Sequence, residues 1–103
     1  MATENIVNVI AALGNADNLT IFEMLMNGKT CGCKIGERFG LDNAGVKAKI
    51  APMVAAGLVD VVSDLEWDKY SINETQICLL EKYFSEQIAQ CRSTGCKCKC
   101  NCC

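Results

Sequence analysis

The sequence predicts a mainly α-helical domain carrying one small β-hairpin. Three observations point to it: apolar residues recur at helical spacing along much of the chain, Gly and Asn residues interrupt those runs, and two β-rich segments flank a short polar turn. With 103 residues, of which 50% are hydrophobic and 21% charged, the chain suits one folded domain with its own core.

Residues 4–13 place Ile6, Val9, Ile10 and Leu13 on one helical stripe, and Gly14 and Asn15 break it. Asn15 or Asp17 caps a second helix running through Met26, with Leu19, Phe22, Leu25 and Met26 on one side and Asn27 and Gly28 as its stop. Thr30 caps a third helix that ends at Phe39 and Gly40. After a short turn, Asp42 caps a fourth that reaches about Ala55 and is ended by Gly57. Pro52 lies inside this fourth helix, where it removes an amide donor and kinks or shortens the helix at a cost of about 3 kcal/mol. Two short helices joined by such a turn form a helix-turn-helix.

Val59 to Ser63 and Trp67 to Ile72 surround the turn Asp64-Leu65-Glu66 and form a hairpin, the wing of that arrangement. A last helix from Asn73 to about Cys91 repeats Ile77, Leu80, Phe84 and Ile88, a stripe that covers a core or a partner helix. The expected architecture is a winged helix-turn-helix of five helices and a two-stranded wing. Residues 1–91 make up this domain, and 92–103 a Cys-rich tail with no apolar pattern, expected to be disordered until an ion binds.

A net charge of −2 argues against an all-over basic surface but leaves room for a local basic face. No apolar run approaches the roughly 18 to 20 residues that cross a bilayer, and Met1 to Leu13 contain Glu4 and no basic region, so neither a membrane span nor a signal peptide is expected. The expected location is cytoplasmic. Histidine is absent, which excludes Ser-His and Cys-His dyads and nitrogen-rich zinc or nickel sites. With no glycine-rich phosphate cradle and only scattered carboxylates, the sequence reads as a non-enzyme.

Nine cysteines, an odd number, favour thiolate ligation or redox chemistry over a disulfide framework in a reducing compartment. Cys31 and Cys33 fall in the first turn of the third helix, where the helix dipole and free amides lower thiol pKa. Two ligands this close reach one ion only if the turn loosens, and deforming this helix moves the next one. The alternative is a pair of buried thiols acting as small hydrophobes. Further candidate ligands are Cys91 at the end of the last helix and Cys96, Cys98, Cys100, Cys102 and Cys103 in the tail. Their alternating spacing on a flexible backbone resembles metallothionein segments and suits trigonal or tetrahedral sulfur cages; Lys97 and Lys99 offset thiolate charge. The rival is an iron–sulfur cluster, against which stands a spacing that is mainly C-x-C, with C-x2-C met only at Cys100 and Cys103. Cys78 reads as core packing.

The element order, with CGC opening the third helix, resembles the ArsR/SmtB family of winged-helix metalloregulatory repressors over roughly Val9 to Ile88. The stretches that carry it are LGNADNLTIFEMLMNG, TCGCKIGERFGLDNAGV, AAGLVDV and WDKYSIN. The resemblance implies a homodimer joined through the first and last helices and an ion-responsive switch that releases DNA. The length and apolar stripe of the last helix favour the dimer independently. Many family members place a third cysteine three residues after the pair. Gly36 stands there in this chain, so the missing ligand must come from elsewhere.

The family's fourth helix presents serine, threonine, arginine and histidine to the groove, whereas DNAGVKAKIAPM leaves Asn43, Lys47 and Lys49 as DNA-binding candidates. Lys29, Lys34 and Arg38 are available for backbone phosphate, while Asp60, Asp64, Glu66 and Asp68 place acid on the wing, opposed by Lys69. The leading expectation is a repressor that holds operator DNA as an apo dimer and releases it when a thiophilic ion binds Cys31, Cys33 and a tail cysteine. Arsenite is the first choice. Three-sulfur coordination suits As(III) or Sb(III), four-sulfur Cd, Pb or Zn, and Cu(I) takes two or three. The alternatives are a module that sequesters or delivers soft metal, with weak or no DNA binding, and a thiol redox sensor.

Overall fold

A computed structural model describes residues 2–94 as five helices and one antiparallel two-stranded sheet. Helix α1 spans Ala2–Ala12, α2 Ala16–Met26, α3 Gly32–Phe39 and α4 Asn43–Ala55. Strands β1 (Val59–Val62) and β2 (Lys69–Ile72) follow, and α5 runs from Glu74 to Thr94. The hairpin register pairs Val59 with Ile72 and Val61 with Tyr70.

Side-chain caps fix the helix starts. Asn15 Oδ1 accepts from the amide of Asn18 at 2.8 Å, and Asp42 Oδ1 from the amide of Gly45 at 2.8 Å, each satisfying a donor the first turn leaves free. Gly40 closes α3 in the left-handed region at φ 68°, which a side chain disfavours, and turns the chain directly into the α4 cap. Helix α4 continues through Pro52 to Ala55. Pro52 and Ala48, four residues before it, are both exposed, so water can satisfy the carbonyl that proline leaves without a donor.

The core is built from Val9 and Ala12 of α1, Ile21 and Leu25 of α2, Ile35 of α3, Val46, Ile50 and Met53 of α4, and Leu58, Val59 and Tyr70 of the hairpin. Two helical stripes differ from expectation. In α1 the small Ala12 is buried while Ile10 is exposed, and in α2 Asn18, Ile21 and Leu25 face inward while Leu19 and Met26 face out. A buried polar contact accompanies this: Asn18 Nδ2 donates to the carbonyl of Ala12 at 2.6 Å, which ties the α1–α2 corner together and satisfies the inward-facing amide.

Helix α5 packs on α1 through its first half, with Ile77 and Leu80 against the core. Beyond them Phe84 and Ile88 are each 49% exposed. The helix continues past Cys91 through Arg92 to Thr94, its last turn carrying the basic Arg92 that complements the carbonyl end.

Candidate metal centre

The two cysteines of CGC occupy the junction between the hairpin and α3. Cys31, rather than the expected Thr30, is the N-cap of α3, its sulfur accepting from the amide of Cys33 at 3.4 Å. Thr30 is otherwise engaged, because its carbonyl accepts from the amide of Tyr70 at 2.8 Å. One step along, the amide of Gly32 donates to the carbonyl of Asp68 at 2.8 Å, and Cys31 bridges Lys69 in antiparallel fashion. Thr30 to Gly32 thus form a short edge on β2 before the chain turns into α3.

The glycines on either side of Cys33 are required by this packing. A Cβ on Gly32 would lie 2.8 Å from the Asp68 carbonyl oxygen and 3.2 Å from the Tyr70 ring. A Cβ on Gly36 would lie 2.5 Å from the Leu41 carbonyl oxygen and 2.7 Å from the Trp67 indole. The position where a third helical sulfur was sought is therefore filled by tryptophan.

The two thiols are electrostatically unequal. Hydrogen bonds from Cys33, first its thiol and then its amide, hold the Cys31 sulfur below the ordinary thiol range, with smaller help from Lys69 and opposition from burial and Asp64. Cys33 is pushed upward, chiefly by donating to Cys31 and next by burial. Of the two, Cys31, the sulfur at the helix start, is the one that ionises first. Both side chains are half-buried, so neither is a fully enclosed core thiol. This donor set fits a soft ion as an incomplete site: among the described residues no group of three or more Cys, Asp or Glu converges on a point that could hold a metal.

Cys91 lies exposed on α5, as does Cys78, which was expected in the core; there Ile77 and Leu80 take the inward positions. Cys96, Cys98, Cys100, Cys102 and Cys103 lie outside the described residues.

The DNA-binding candidates each have an internal partner. Asn43 Oδ1 accepts from the amide of Asp68 at 3.1 Å, Lys47 Nζ is 3.4 Å from Asp68 Oδ2, and Lys49 Nζ is 2.8 Å from Asp17 Oδ2 and 5.0 Å from the Phe39 ring centre. Lys29, Lys34 and Arg38 line one cleft of about 390 Å³ together with Glu37. Asp68, expected as an exposed acid of the wing, is turned inward and only 3% exposed. It is the residue of the candidate site that sequence reasoning placed wrongly, since it touches CGC through its carbonyl and α4 through its amide and carboxylate. Strand alternation was the available signal, because Asp68 shares a parity with the buried Tyr70. No protein-family model and no curated protein matches the chain.

Proposed function

We propose that the chain is a winged-helix sensor of thiophilic ions that works as a homodimeric transcriptional repressor, binding DNA in its apo form and releasing it when arsenite or a similar ion is captured by Cys31, Cys33 and a cysteine of the 92–103 segment. The observation that carries this reading is the unequal thiol pair at the start of α3, hydrogen-bonded to the hairpin and through Asp68 to α4. An ion that pulls both sulfurs onto itself removes the Cys33 amide bond to Cys31 Sγ, and the loosened turn is one residue from the bond to Asp68. The clustering of Lys29, Lys34 and Arg38 supplies a place for phosphate, and α4 is the groove-facing helix of this reading. The Lys49 pair with the exposed Asp17 can exchange for phosphate at little cost, whereas releasing Lys47 would leave the buried Asp68 carboxylate without its counter-charge. Dimerisation through α1 and α5 would cover Val7, Ile10, Phe84 and Ile88.

The acidic hairpin supports a second reading. Asp60, Asp64 and Glu66 are exposed and repel a duplex, while the sequence of the 92–103 segment is rich in cysteine, as suits a module that sequesters or delivers soft metal. Selection from a random duplex pool at low salt, followed by mobility shift with and without arsenite, separates the two. A retained sequence released by arsenite is the expected result. Failure to retain any duplex sinks the repressor and leaves the sequestering module.

A further inference from the structure

Among the described residues, two buried side-chain oxygens lack a hydrogen-bond partner, Asp68 Oδ2 and the Tyr70 hydroxyl, and both residues line the same cleft. The cleft lies between α4 and the hairpin and has a volume of about 370 Å³. Its walls are apolar, with Ile50, Ala51 and Val54 on the helix side and Val61 on the strand side. Val54 and Val61 remain 37% and 38% exposed, so each wall presents hydrocarbon to water. Lys47 stands at the cleft with its side chain 63% exposed, and its ammonium approaches Asp68 Oδ2 at 3.4 Å without a well-directed hydrogen bond.

An unpaired buried oxygen is costly, and two of them on residues that line one apolar cleft define what would complement them as the cleft admits a ligand. Ionised Asp68 only accepts. Tyr70 can donate, and it remains protonated because burial, with a smaller contribution from the Asp68 charge, pushes its phenol above the ordinary range. The complement is a group that both donates and accepts, carried on an apolar body. A hydroxyl does this without adding charge beside the Lys47 and Asp68 pair, whose opposite charges already balance.

We propose that the cleft between α4 and the hairpin is a binding site for a small neutral phenol or aryl alcohol, its hydroxyl donating to Asp68 Oδ2 and accepting from Tyr70 while its ring lies between Val54 and Val61. The site shares no ligand with the cysteine pair. It uses Asp68 and Lys47, which also join the CGC turn to α4, but its test requires neither an ion nor DNA.

The test is a methyl and amide NMR titration of the full chain with 4-methylphenol, 4-methylanisole and benzylamine. The phenol should give saturable shifts at Ala51, Val54 and Val61. The anisole, which keeps the shape but cannot donate, should bind about tenfold more weakly, the equivalent of one lost hydrogen bond. Tyr70→Phe should weaken the phenol by a similar factor, and Ala51→Leu should abolish binding by filling the cleft. The comparison of phenol with anisole is made on the wild-type chain and stands even if a variant fails to fold. Absence of saturation, equal binding of phenol and anisole, or tighter binding of benzylamine would each overturn the proposal.

Discussion

The amide of Gly32 donates to the carbonyl of Asp68 across 2.8 Å, so the turn that carries the two candidate ligands hangs from the hairpin as well as from its own helix. Asp68 then reaches α4 through Asn43 and Lys47. The CGC turn, α4 and the hairpin thus meet at one residue.

Gly36→Ala should destabilise the fold by about 1–3 kcal/mol, because the added methyl meets the Leu41 carbonyl, which cannot rotate away, as well as Trp67. Gly36→Cys should suffer at least as much. Urea unfolding of the two variants checks this, and wild-type stability in Gly36→Cys would show that a local third sulfur is sterically acceptable.

Cys31→Ser should keep the fold, since serine is a better N-cap than cysteine, with a stability change no larger than about 1 kcal/mol in either direction. The same variant loses the thiolate. Thermal unfolding combined with the sulfur-to-metal charge-transfer absorption of added cadmium reads both effects, and unchanged absorption would remove Cys31 from the site.

Alkylation should begin at lower pH on Cys31 than on Cys33, as the hydrogen bond between them lowers one and raises the other. In Cys33→Ala the Cys31 onset should move upward, because the thiol donor is gone and only the amide remains. Mass spectrometry of iodoacetamide-labelled peptides across pH measures both onsets; identical profiles for the two cysteines would contradict the inequality.

Tyr70 should make the fold sensitive to alkali. Its folded phenol is held above the ordinary range, so the unfolded chain loses that proton first. The contribution is whole below the unfolded pKa of about 10 and is lost as pH rises through the folded value. Thermal midpoints of wild type should fall between about pH 9 and about pH 11 more steeply than those of Tyr70→Phe. Parallel curves would count against the shift.

The local chemistry of this fold was legible in the sequence where it depends on neighbours in the chain. Asp42 as a cap, Gly40 as a stop and the hairpin around Asp64 to Glu66 all follow from residues within a few positions of one another. What escaped depends on contacts between distant segments. Thr30 is a better intrinsic cap than Cys31, but the Tyr70 amide claims its carbonyl and leaves the capping to the next residue. Asn18 is polar and gives no sign in its own sequence neighbourhood of being buried, because the group that satisfies it is the carbonyl of Ala12 on the preceding helix. Asp68 reads as a surface acid until the strand parity and the Gly32 bond are seen together. At the candidate cysteine site, the placement of Cys31 and Cys33 at the start of α3 was readable from spacing; their inequality, and the indole packed where a third side chain would stand, were not.

Trp67 is the chain's single tryptophan, and its ring lies against the face of α3 that Gly36 leaves bare. Any loosening of the first turns of α3 changes what that ring touches. The protein therefore carries its own optical reporter, in which ion capture at Cys31 and Cys33 should register as a change in indole emission without any label being attached.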